Sequence, residues 1–220
     1  MPADFCLIFD CDGTLVDSEP LLAEVLAETL SEAGFPFEPR DYMETYRGVA
    51  YARIVATLEQ KHGVMDERYR DSAEQNMRIR LHDRMRGTLQ AIEGIEAALD
   101  TLANPRCVAS NGPLAKIRLS MDTTGLARHF GDNLFSAYEV GIFKPDPGLY
   151  LYTAEAMGYP PERCIVIDDA AVGIKAGMDA GMHVIHINRF SSREETPEGA
   201  HKIEHMNELA RRVVQIEQGI

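Results

Sequence analysis

Short, mainly apolar runs that alternate with helical patterns place the strongest limit on the fold of this 220-residue chain. Helical patterns separate most of the runs, among them Leu114 to Met121, Leu149 to Met157 and Ala171 to Ala180. Strands that alternate with helices predict a doubly wound parallel sheet covered by helices on both faces. The runs are rich in β-branched or aromatic side chains, as buried strands are, and they comprise Phe5 to Phe9, Arg106 to Ala109, Leu134 to Ser136, Cys164 to Ile167 and His183 to Ile187.

The interval 16–89 differs, because amphipathic helical patterns fill it and it contains no convincing strand. The segment Tyr69 to Met85 predicts one long charged helix. We therefore expect an α/β core at 1–15 and 90–220 and an inserted helical cap domain at 16–89. An insertion directly after the first strand lies above the carboxyl ends of the strands, where ligands bind in such folds, so this one is expected to act as a lid.

The net charge argues against several classes of partner, and the cysteine content indicates the compartment. The chain carries 35 acidic and 22 basic residues, a net charge of -13 that repels nucleic acid and anionic membrane surfaces. No apolar run approaches the length of a membrane span, and no signal segment is recognisable. The four cysteines are scattered without a C-x-x-C motif, which suits a reducing compartment. We expect a cytoplasmic protein, a monomer or small homo-oligomer, without nucleic acid or membrane partners.

The first strand ends in a polar string that runs from Asp10 through Cys11, Asp12, Gly13 and Thr14. Asp10 and Asp12 are two positions apart, so strand alternation points both side chains to the same side. Two carboxylates this close repel each other, and a bound cation would relieve the repulsion. The alternative is an ordinary loop in which the aspartates accept hydrogen bonds from local amides.

A second acidic pair, Asp168 and Asp169, follows the fourth apolar run. One aspartate could cap the next helix, but capping does not require two. A second acidic pair at a second strand end is therefore unlikely to have arisen by chance.

Two further strings are polar at strand ends or next to a proline. Ser110, Asn111 and Gly112 follow the second run and precede a helix, so they could cap that helix, bind a phosphate at its N-terminus, or do both. Lys144 lies in Phe143-Lys144-Pro145-Asp146-Pro147, and taken alone it is read as a surface charge.

Taken together and in order, these strings resemble the four motifs of the haloacid dehalogenase-like superfamily, in its subfamily with a helical cap (β-phosphoglucomutase-like and 6-phosphogluconate phosphatase-like). The resemblance implies the Rossmann-like core of that superfamily and a Mg²⁺-dependent phosphatase acting on a small phosphorylated metabolite. It implies that Asp10 attacks phosphorus to form an aspartyl-phosphate. Asp12 then protonates the leaving oxygen and afterwards activates the hydrolytic water.

The same resemblance assigns the remaining motif residues. It implies that Ser110 and Lys144 contact the transferring phosphoryl group, with Asn111 and Gly112 assisting. Ala170 departs from the pattern, since relatives commonly carry a serine there. The implied Mg²⁺ ligands are Asp10, the backbone carbonyl of Asp12, Asp169, and Asp168 partly through water.

Three strings beyond the motif positions are similar to those of bacterial 6-phosphogluconate phosphatases: Cys107 to Pro113, Leu134 to Tyr138 and Lys144 to Pro147. A sugar phosphate, or a sugar-acid phosphate such as 6-phosphogluconate, is therefore the expected substrate. A substrate carboxylate needs a further cation, preferably a bidentate one, and Arg47 beside Gly48 is the candidate. A surface arginine next to a helix-ending glycine is an equally good interpretation of these two residues.

Three other functions are weighed against the phosphatase. β-Phosphoglucomutase-like phosphomutases carry a histidine where this chain has Leu22. The dehalogenases that name the superfamily lack the metal and the second aspartate, whereas Asp12 is present. A non-catalytic binding protein would normally have lost a motif carboxylate or Lys144, and none is missing.

Overall fold

The computed structural model describes residues 5–47, 49, 51–70, 72–189 and 195–219. The chain divides into two compact units. One, the core unit, comprises Met1–Asp17 and Gln90–Ile220, and the other, the cap unit, is Ser18–Leu89. Within the described residues, none of the helices is both long enough and apolar enough to cross a bilayer.

The core unit is built on one parallel sheet of six strands in the order β3-β2-β1-β4-β5-β6. The central strand β1 pairs with β2 on one side and with β4 on the other, and Cys6 lies opposite Cys164 in the second pairing. The predicted doubly wound parallel sheet is confirmed. The strands are β1 Cys6–Phe9, β2 Arg106–Ser110, β3 Leu134–Ser136, β4 Cys164–Asp168, β5 His183–Ile187 and β6 His201–Ile203.

Helices connect the strands and cover the sheet. Because parallel strands need crossover connections, both faces of the sheet become buried. The core helices are α6 Ile95–Thr101, α7 Leu114–Thr124, α8 Ala127–Phe130, α9 Ala137–Val140, α10 Gly148–Met157, α11 Ala171–Asp179 and α12 Leu209–Glu217, with short 3₁₀ turns at Pro161–Arg163 and Met206–Glu208.

The two faces of the central strand pack against different helices. Cys6 and Ile8 of β1 belong to a buried cluster that includes residues of α10 and α11. Phe9 makes an edge-to-face contact with Phe130 of α8, with ring centroids 5.7 Å apart. Every residue of β1 is completely buried, which explains why the sequence shows a continuous apolar run there and no alternation.

The order in which strands are added to the sheet changes direction between β1 and β4. Strands β2 and β3 lie on one side of β1, whereas β4, β5 and β6 lie on the other side. In open α/β sheets such a switch point opens a crevice at the carboxyl ends of the strands. Asp10 follows β1 directly, and Asp168 ends β4. The topology thus brings the two acidic strings to the crevice.

The cap unit contains helices and no strand among its described residues. Buried side chains of α1, such as Val25 and Leu30, form the apolar face of that helix. Arg84 of the fifth helix bonds to Glu24 and Glu28 of α1, and Arg80 bonds to Glu32. The cap helices are α1 Glu19–Glu32, α2 Pro39–Asp41, a π-helical turn Tyr42–Tyr46, α3 Tyr51–His62, α4 Glu67–Arg70 and α5 Ala73–Thr88.

One sequence prediction of secondary structure was wrong, and one strand was missed. The predicted long helix from Tyr69 to Met85 is divided, because α4 ends at Arg70 and α5 begins at Ala73. Its buried stripe of Ala73, Met77, Leu81 and Met85 starts only there, whereas no residue of α4 is buried, so packing holds the two segments as separate helices. Strand β6 was not predicted, since it is a three-residue edge strand in which only Ile203 is buried.

The chain leaves and re-enters the core unit at adjacent points. The amide of Asp17 donates to the carbonyl of Gln90 at 2.9 Å, and the amide of Ile92 donates to Leu15 at 2.9 Å. A β-bridge joins Val16 and Ala91. The 72 residues from Ser18 to Leu89 therefore start and end beside each other.

Candidate active site

Three buried carboxylates converge at the switch point of the sheet. Asp10, Asp168 and Asp169 each offer an oxygen, and these oxygens all lie within 4.8 Å of one another. Asp168 is completely buried, and Asp10 and Asp169 are each 7% exposed. Neither Asp168 nor Asp169 occupies the N-cap position of α11, which belongs to Ala170. The three carboxylates are thus a group that could hold a metal ion.

Lys144 lies among these carboxylates and is itself buried. Its ammonium nitrogen is 2.5 Å from Oδ1 of Asp10 and 2.9 Å from Oδ2 of Asp168. Burial by itself lowers the pKa of Lys144, but the charges of Asp10 and Asp168 more than offset it and the pKa rises well above its ordinary value. Lys144 is thus a permanent cation that links the ends of β1 and β4.

The carboxylate of Asp168 is held from several directions. Tyr150 donates its hydroxyl hydrogen to Oδ2, and the backbone amide of Ala170 donates to Oδ1 at 2.8 Å. Gly173 of α11 packs against the same carboxylate so closely that a Cβ atom there would overlap it. Asp168 is thereby fixed in place before any ligand arrives.

Asp10 is energetically strained as an ionised group. Burial raises its pKa, Lys144 lowers it, and the charges of Asp168 and Asp12 raise it again, with the result that the pKa moves from 3.8 to about 7. One ammonium does not balance three buried carboxylates. The cluster is therefore electrostatically short of positive charge.

Asp169 takes its position from the loop that follows Asp10. Thr14 donates its hydroxyl hydrogen to Oδ1 of Asp169 at 3.1 Å. The backbone of Gly13, at φ +82°, passes so close that a side chain at this position would overlap the Asp169 carboxylate. A glycine is thus needed here both for the left-handed conformation and for space.

Asp12 is placed differently from the three clustered acids. Its Oδ2 lies 2.7 Å from the ammonium nitrogen of Lys116, in the first turn of α7. The two side chains keep 26% and 28% of their surface exposed, respectively. Each of the two aspartates of the first motif is thus paired with a different lysine.

The loop after β2 lies next to these groups. The hydroxyl oxygen of Ser110 accepts from the amide of Gly112 at 3.1 Å, which leaves the hydroxyl hydrogen to donate elsewhere. Asn111 spans Lys144: its Oδ1 accepts from the Lys144 amide at 2.9 Å and its Nδ2 donates to the Lys144 carbonyl at 3.1 Å. Helix α7 has Pro113 at its N-cap, so neither Ser110 nor Asn111 caps it.

Arg47 belongs to the cap unit, at the end of the π-helical turn Tyr42–Tyr46. Its backbone has φ -56° and ψ 128°, and its side chain is partly buried. The neighbouring Gly48, on which the expectation of a close approach to ligand depended, lies outside the described residues. The proposed role of Arg47 in substrate binding stays a prediction.

Sequence reasoning overlooked three members of this site: Thr14, Lys116 and Tyr150. Lys116 had a usable signal, since it lies three positions after Pro113 and side chains on a helix lean toward its N-terminus. Thr14 was part of the motif string without a role. Tyr150 lies in an apolar helical pattern, and nothing in that pattern distinguishes it from a core residue.

Comparison with known proteins agrees with this arrangement. A family model described as haloacid dehalogenase-like hydrolase matches residues 6–181. The chain belongs to this family. A relative of this haloacid dehalogenase-like hydrolase is the 6-phosphogluconate phosphatase of Escherichia coli. The two sequences are 37% identical over 180 residues, and the match covers 82% of this chain and 80% of that phosphatase. The predicted family and enzyme class, a hydrolase with phosphatase relatives, are confirmed.

Solved structures with the same fold include two bacterial proteins. A haloacid dehalogenase-like protein from Agrobacterium tumefaciens is 28% identical and superposes with a TM-score of 0.81, covering 96% of this chain and 98% of that one. A hydrolase of the same family from Deinococcus radiodurans, solved with bound phosphate and sodium, is 27% identical and superposes with a TM-score of 0.78. The match covers 98% of this chain and 97% of that one. The Rossmann-like core with an inserted helical cap is thus confirmed.

Proposed function

We propose that this haloacid dehalogenase-like hydrolase is a Mg²⁺-dependent phosphatase that hydrolyses a small phosphomonoester through a phosphorylated Asp10. The observation that carries the proposal is the buried group of Asp10, Asp168 and Asp169, the first two of which contact Lys144. Such a group suits an anionic phosphoryl centre only when a further cation offsets its charge.

The donor set fits a divalent metal ion. Three carboxylate oxygens within 4.8 Å are hard ligands of the kind that Mg²⁺ prefers. Burial, and then the charge of Asp168, raise the pKa of Asp10 to about 7 although Lys144 lowers it, so a further cation would favour the ionised form. Asp10, Asp168 and Asp169 would hold the ion, together with the backbone carbonyl of Asp12. When bound, Mg²⁺ supplies charge neutralisation and orients a phosphate oxygen.

In the first step, Oδ of Asp10 attacks phosphorus and the bond to the ester oxygen breaks. The proton of Asp12 passes to the departing oxygen, which leaves as an alcohol. The Ser110 hydroxyl donates to a phosphoryl oxygen, and the Lys144 ammonium stabilises the charge that spreads over that group. Asn111 contributes by holding the backbone of Lys144 on both sides. We assign Gly112, in the same loop, to binding of the phosphoryl group.

In the second step, water attacks the phosphorus of the aspartyl-phosphate and gives its proton to Asp12. The bond between phosphorus and Asp10 breaks, inorganic phosphate leaves, and both aspartates return to their starting forms. The cap unit, as the inserted element of this family, is assigned the exclusion of bulk water and the choice of substrate.

For the substrate we propose a sugar phosphate or sugar-acid phosphate, with 6-phosphogluconate as the first compound to test. The support is the 37% identity to a 6-phosphogluconate phosphatase. Arg47 is the proposed partner of the substrate carboxylate. A phosphomutase is disfavoured by Leu22, and analysis of the products formed from a hexose 1-phosphate distinguishes isomerisation from phosphate release.

The proposal is tested by phosphate release from a panel of phosphorylated metabolites with Mg²⁺ or with EDTA. Asp10→Asn should abolish both turnover and covalent incorporation of labelled phosphate, because the nucleophile is lost. Asp132→Asn is the matched control, since the Asp132 side chain is 95% exposed, and it should retain full activity. Full turnover by Asp10→Asn would exclude the aspartyl-phosphate route.

A further inference from the structure

Lys116 is the second lysine of the site, and the family motifs give it no part. Its ammonium nitrogen lies 2.7 Å from Oδ2 of Asp12, and its side chain is 28% exposed. Lys144, by contrast, contacts Asp10 and Asp168. The pairing with Asp12 is therefore a separate contact rather than an extension of the Lys144 group.

The fold delivers Lys116 to this position through the first turn of α7. That helix begins directly after the loop of Ser110 to Pro113, and its side chains lean back toward the loop. A Cβ atom built on Gly112 would lie 3.8 Å from Cδ of Lys116 and 3.9 Å from Oδ2 of Asp12. The side chain of Lys116 thus passes alongside the backbone of the loop from Ser110 to Pro113 to reach Asp12.

The charges of the pair support a lasting contact. Burial lowers the pKa of Lys116, whereas Asp12 raises it, and the net pKa lies above its ordinary value. A charge-assisted hydrogen bond of this length restrains both partners more than an exposed ion pair does.

We propose that Lys116 is a positioning residue for Asp12. It anchors one oxygen of the Asp12 carboxylate and thereby fixes where the proton-transferring group stands relative to the phosphoryl centre. This inference rests on the proposed function, in which Asp12 gives a proton to the leaving oxygen and later takes one from water. Displacement of a reacting group by about 1 Å can lower a rate by roughly 100-fold.

The two steps depend on Asp12 to different extents when p-nitrophenyl phosphate is the substrate. Nitrophenolate is a stable leaving group, so it departs without protonation and the first step does not need a well-placed acid. Hydrolysis of the aspartyl-phosphate still needs the base. Misplacing Asp12 should therefore let the phosphorylated enzyme form and then persist.

The experiment is rapid mixing of Lys116→Met with p-nitrophenyl phosphate and Mg²⁺. We expect a burst of nitrophenolate approaching one equivalent, at a rate within about threefold of the wild type, followed by a steady-state rate at least about tenfold lower. Equal losses in the burst and in the steady state would place Lys116 on the phosphoryl group and overturn the proposal. Unchanged kinetics in both phases would overturn it as well.

Three further variants isolate the contact. Lys116→Arg keeps the charge and a donor and should recover most of the steady-state rate. Asp12→Ala should remove the effect of Lys116→Met, because a residue acting only through Asp12 costs nothing once Asp12 is gone. A further loss in the double variant would contradict the proposal. Lys175→Met is the matched control, since Lys175 pairs with Asp179 at 2.6 Å on the exposed face of α11, and it should behave as wild type.

The result separates failure of this inference from failure of the proposed function. If Asp10→Asn turns over, or if the wild type releases no phosphate from any phosphomonoester of the panel, then the proposed function is wrong and Lys116 has no Asp12 chemistry to support. If the wild type passes both checks and Lys116→Met shows no burst, then only the role of Lys116 is wrong.

Discussion

Tyr150 donates its hydroxyl hydrogen to Oδ2 of Asp168 across 2.6 Å, and both side chains are completely buried. The same carboxylate oxygen receives the Lys144 ammonium at 2.9 Å. Burial and then the charge of Asp168 raise the pKa of Tyr150 well above its ordinary value, so the phenol keeps its proton. A core tyrosine of α10 thus holds an acid of the candidate active site in place.

Replacing Tyr150 with phenylalanine should destabilise the protein without removing the ring that packs in the core. The buried Asp168 carboxylate loses one donor, and a hydrogen bond to a charged group contributes about 1.5–3 kcal/mol. Urea unfolding in EDTA measures this loss. Tyr152→Phe on the same helix is the control, because Tyr152 is 50% exposed, and it should change the free energy of unfolding by less than about 0.5 kcal/mol. Equal effects of the two variants would mean that the contact with Asp168 adds nothing.

Gly173→Ala should lower activity by displacing the Asp168 carboxylate. The new methyl group would overlap the Asp168 carboxylate, so either the carboxylate or α11 must move. We expect kcat to fall by at least about tenfold, together with a lower melting temperature. Steady-state kinetics and thermal unfolding measure the two effects.

The matched control for this change is Gly87→Ala in α5, where a Cβ atom would meet nothing within 4 Å. It should leave kcat unchanged and stabilise the helix by up to about 1 kcal/mol. Wild-type kcat in Gly173→Ala would show that the position of Asp168 tolerates displacement.

Removal of the Asp10 charge should stabilise the metal-free protein in a pH-dependent manner. The pKa of Asp10 is raised from 3.8 to about 7, so its contribution to stability is fully present below pH 3.8 and is lost as the pH rises through 7. Asp10→Asn does not titrate, and its advantage over the wild type should therefore grow between about pH 4 and pH 7 and level off above. The gap should reach a few kcal/mol, at about 1.4 kcal/mol per pKa unit.

Thermal unfolding in EDTA at a series of pH values measures this gap. Asp132→Asn, an exposed aspartate outside the cluster, should show no such trend. A gap that is constant with pH would mean that Asp10 is not strained in the folded protein. Added Mg²⁺ should raise the melting temperature of the wild type more than that of Asp10→Asn, since the variant has lost one ligand.

Arg47→Ala should weaken the use of a substrate that carries a carboxylate. For 6-phosphogluconate, kcat/KM should fall by the equivalent of about 1.5–3 kcal/mol, and for glucose 6-phosphate, which lacks the carboxylate, much less. Arg53→Ala is the control, since Arg53 is an exposed residue of α3. Equal losses on both substrates would assign Arg47 to structure or to the phosphate itself.

The sequence predicted the parts of the fold that depend on local pattern. Five strands and the alternation with helices follow from apolar runs, because a strand buried on both faces has no polar positions. The edge strand β6 has a single buried residue, Ile203, and so leaves almost no pattern. The break between α4 and α5 depends on packing that starts at Ala73, which local propensity does not reveal.

The candidate site divides in the same way. Asp10, Ser110 and Asp168 lie at or directly after strand ends, and the parallel sheet gathers strand ends, so they were expected together. Lys144 follows α9 rather than a strand, and only its resemblance to a family motif indicated that it belongs with them. Lys116 and Tyr150 lie inside helices. Their partners are 104 and 18 residues away in sequence, and only the register of those helices on the sheet brings them into contact.

The hydrogen bond between Asp17 and Gln90 makes the helical insertion modular. Since both crossings of the chain meet at one point beyond β1, the length of what lies between them imposes no strain on the sheet or on the acids at its edge. The part of the molecule assigned to substrate choice is therefore free to diverge while the part assigned to phosphorus chemistry stays fixed. An insertion of a different length or sequence would therefore leave the carboxylates at the sheet edge where they are.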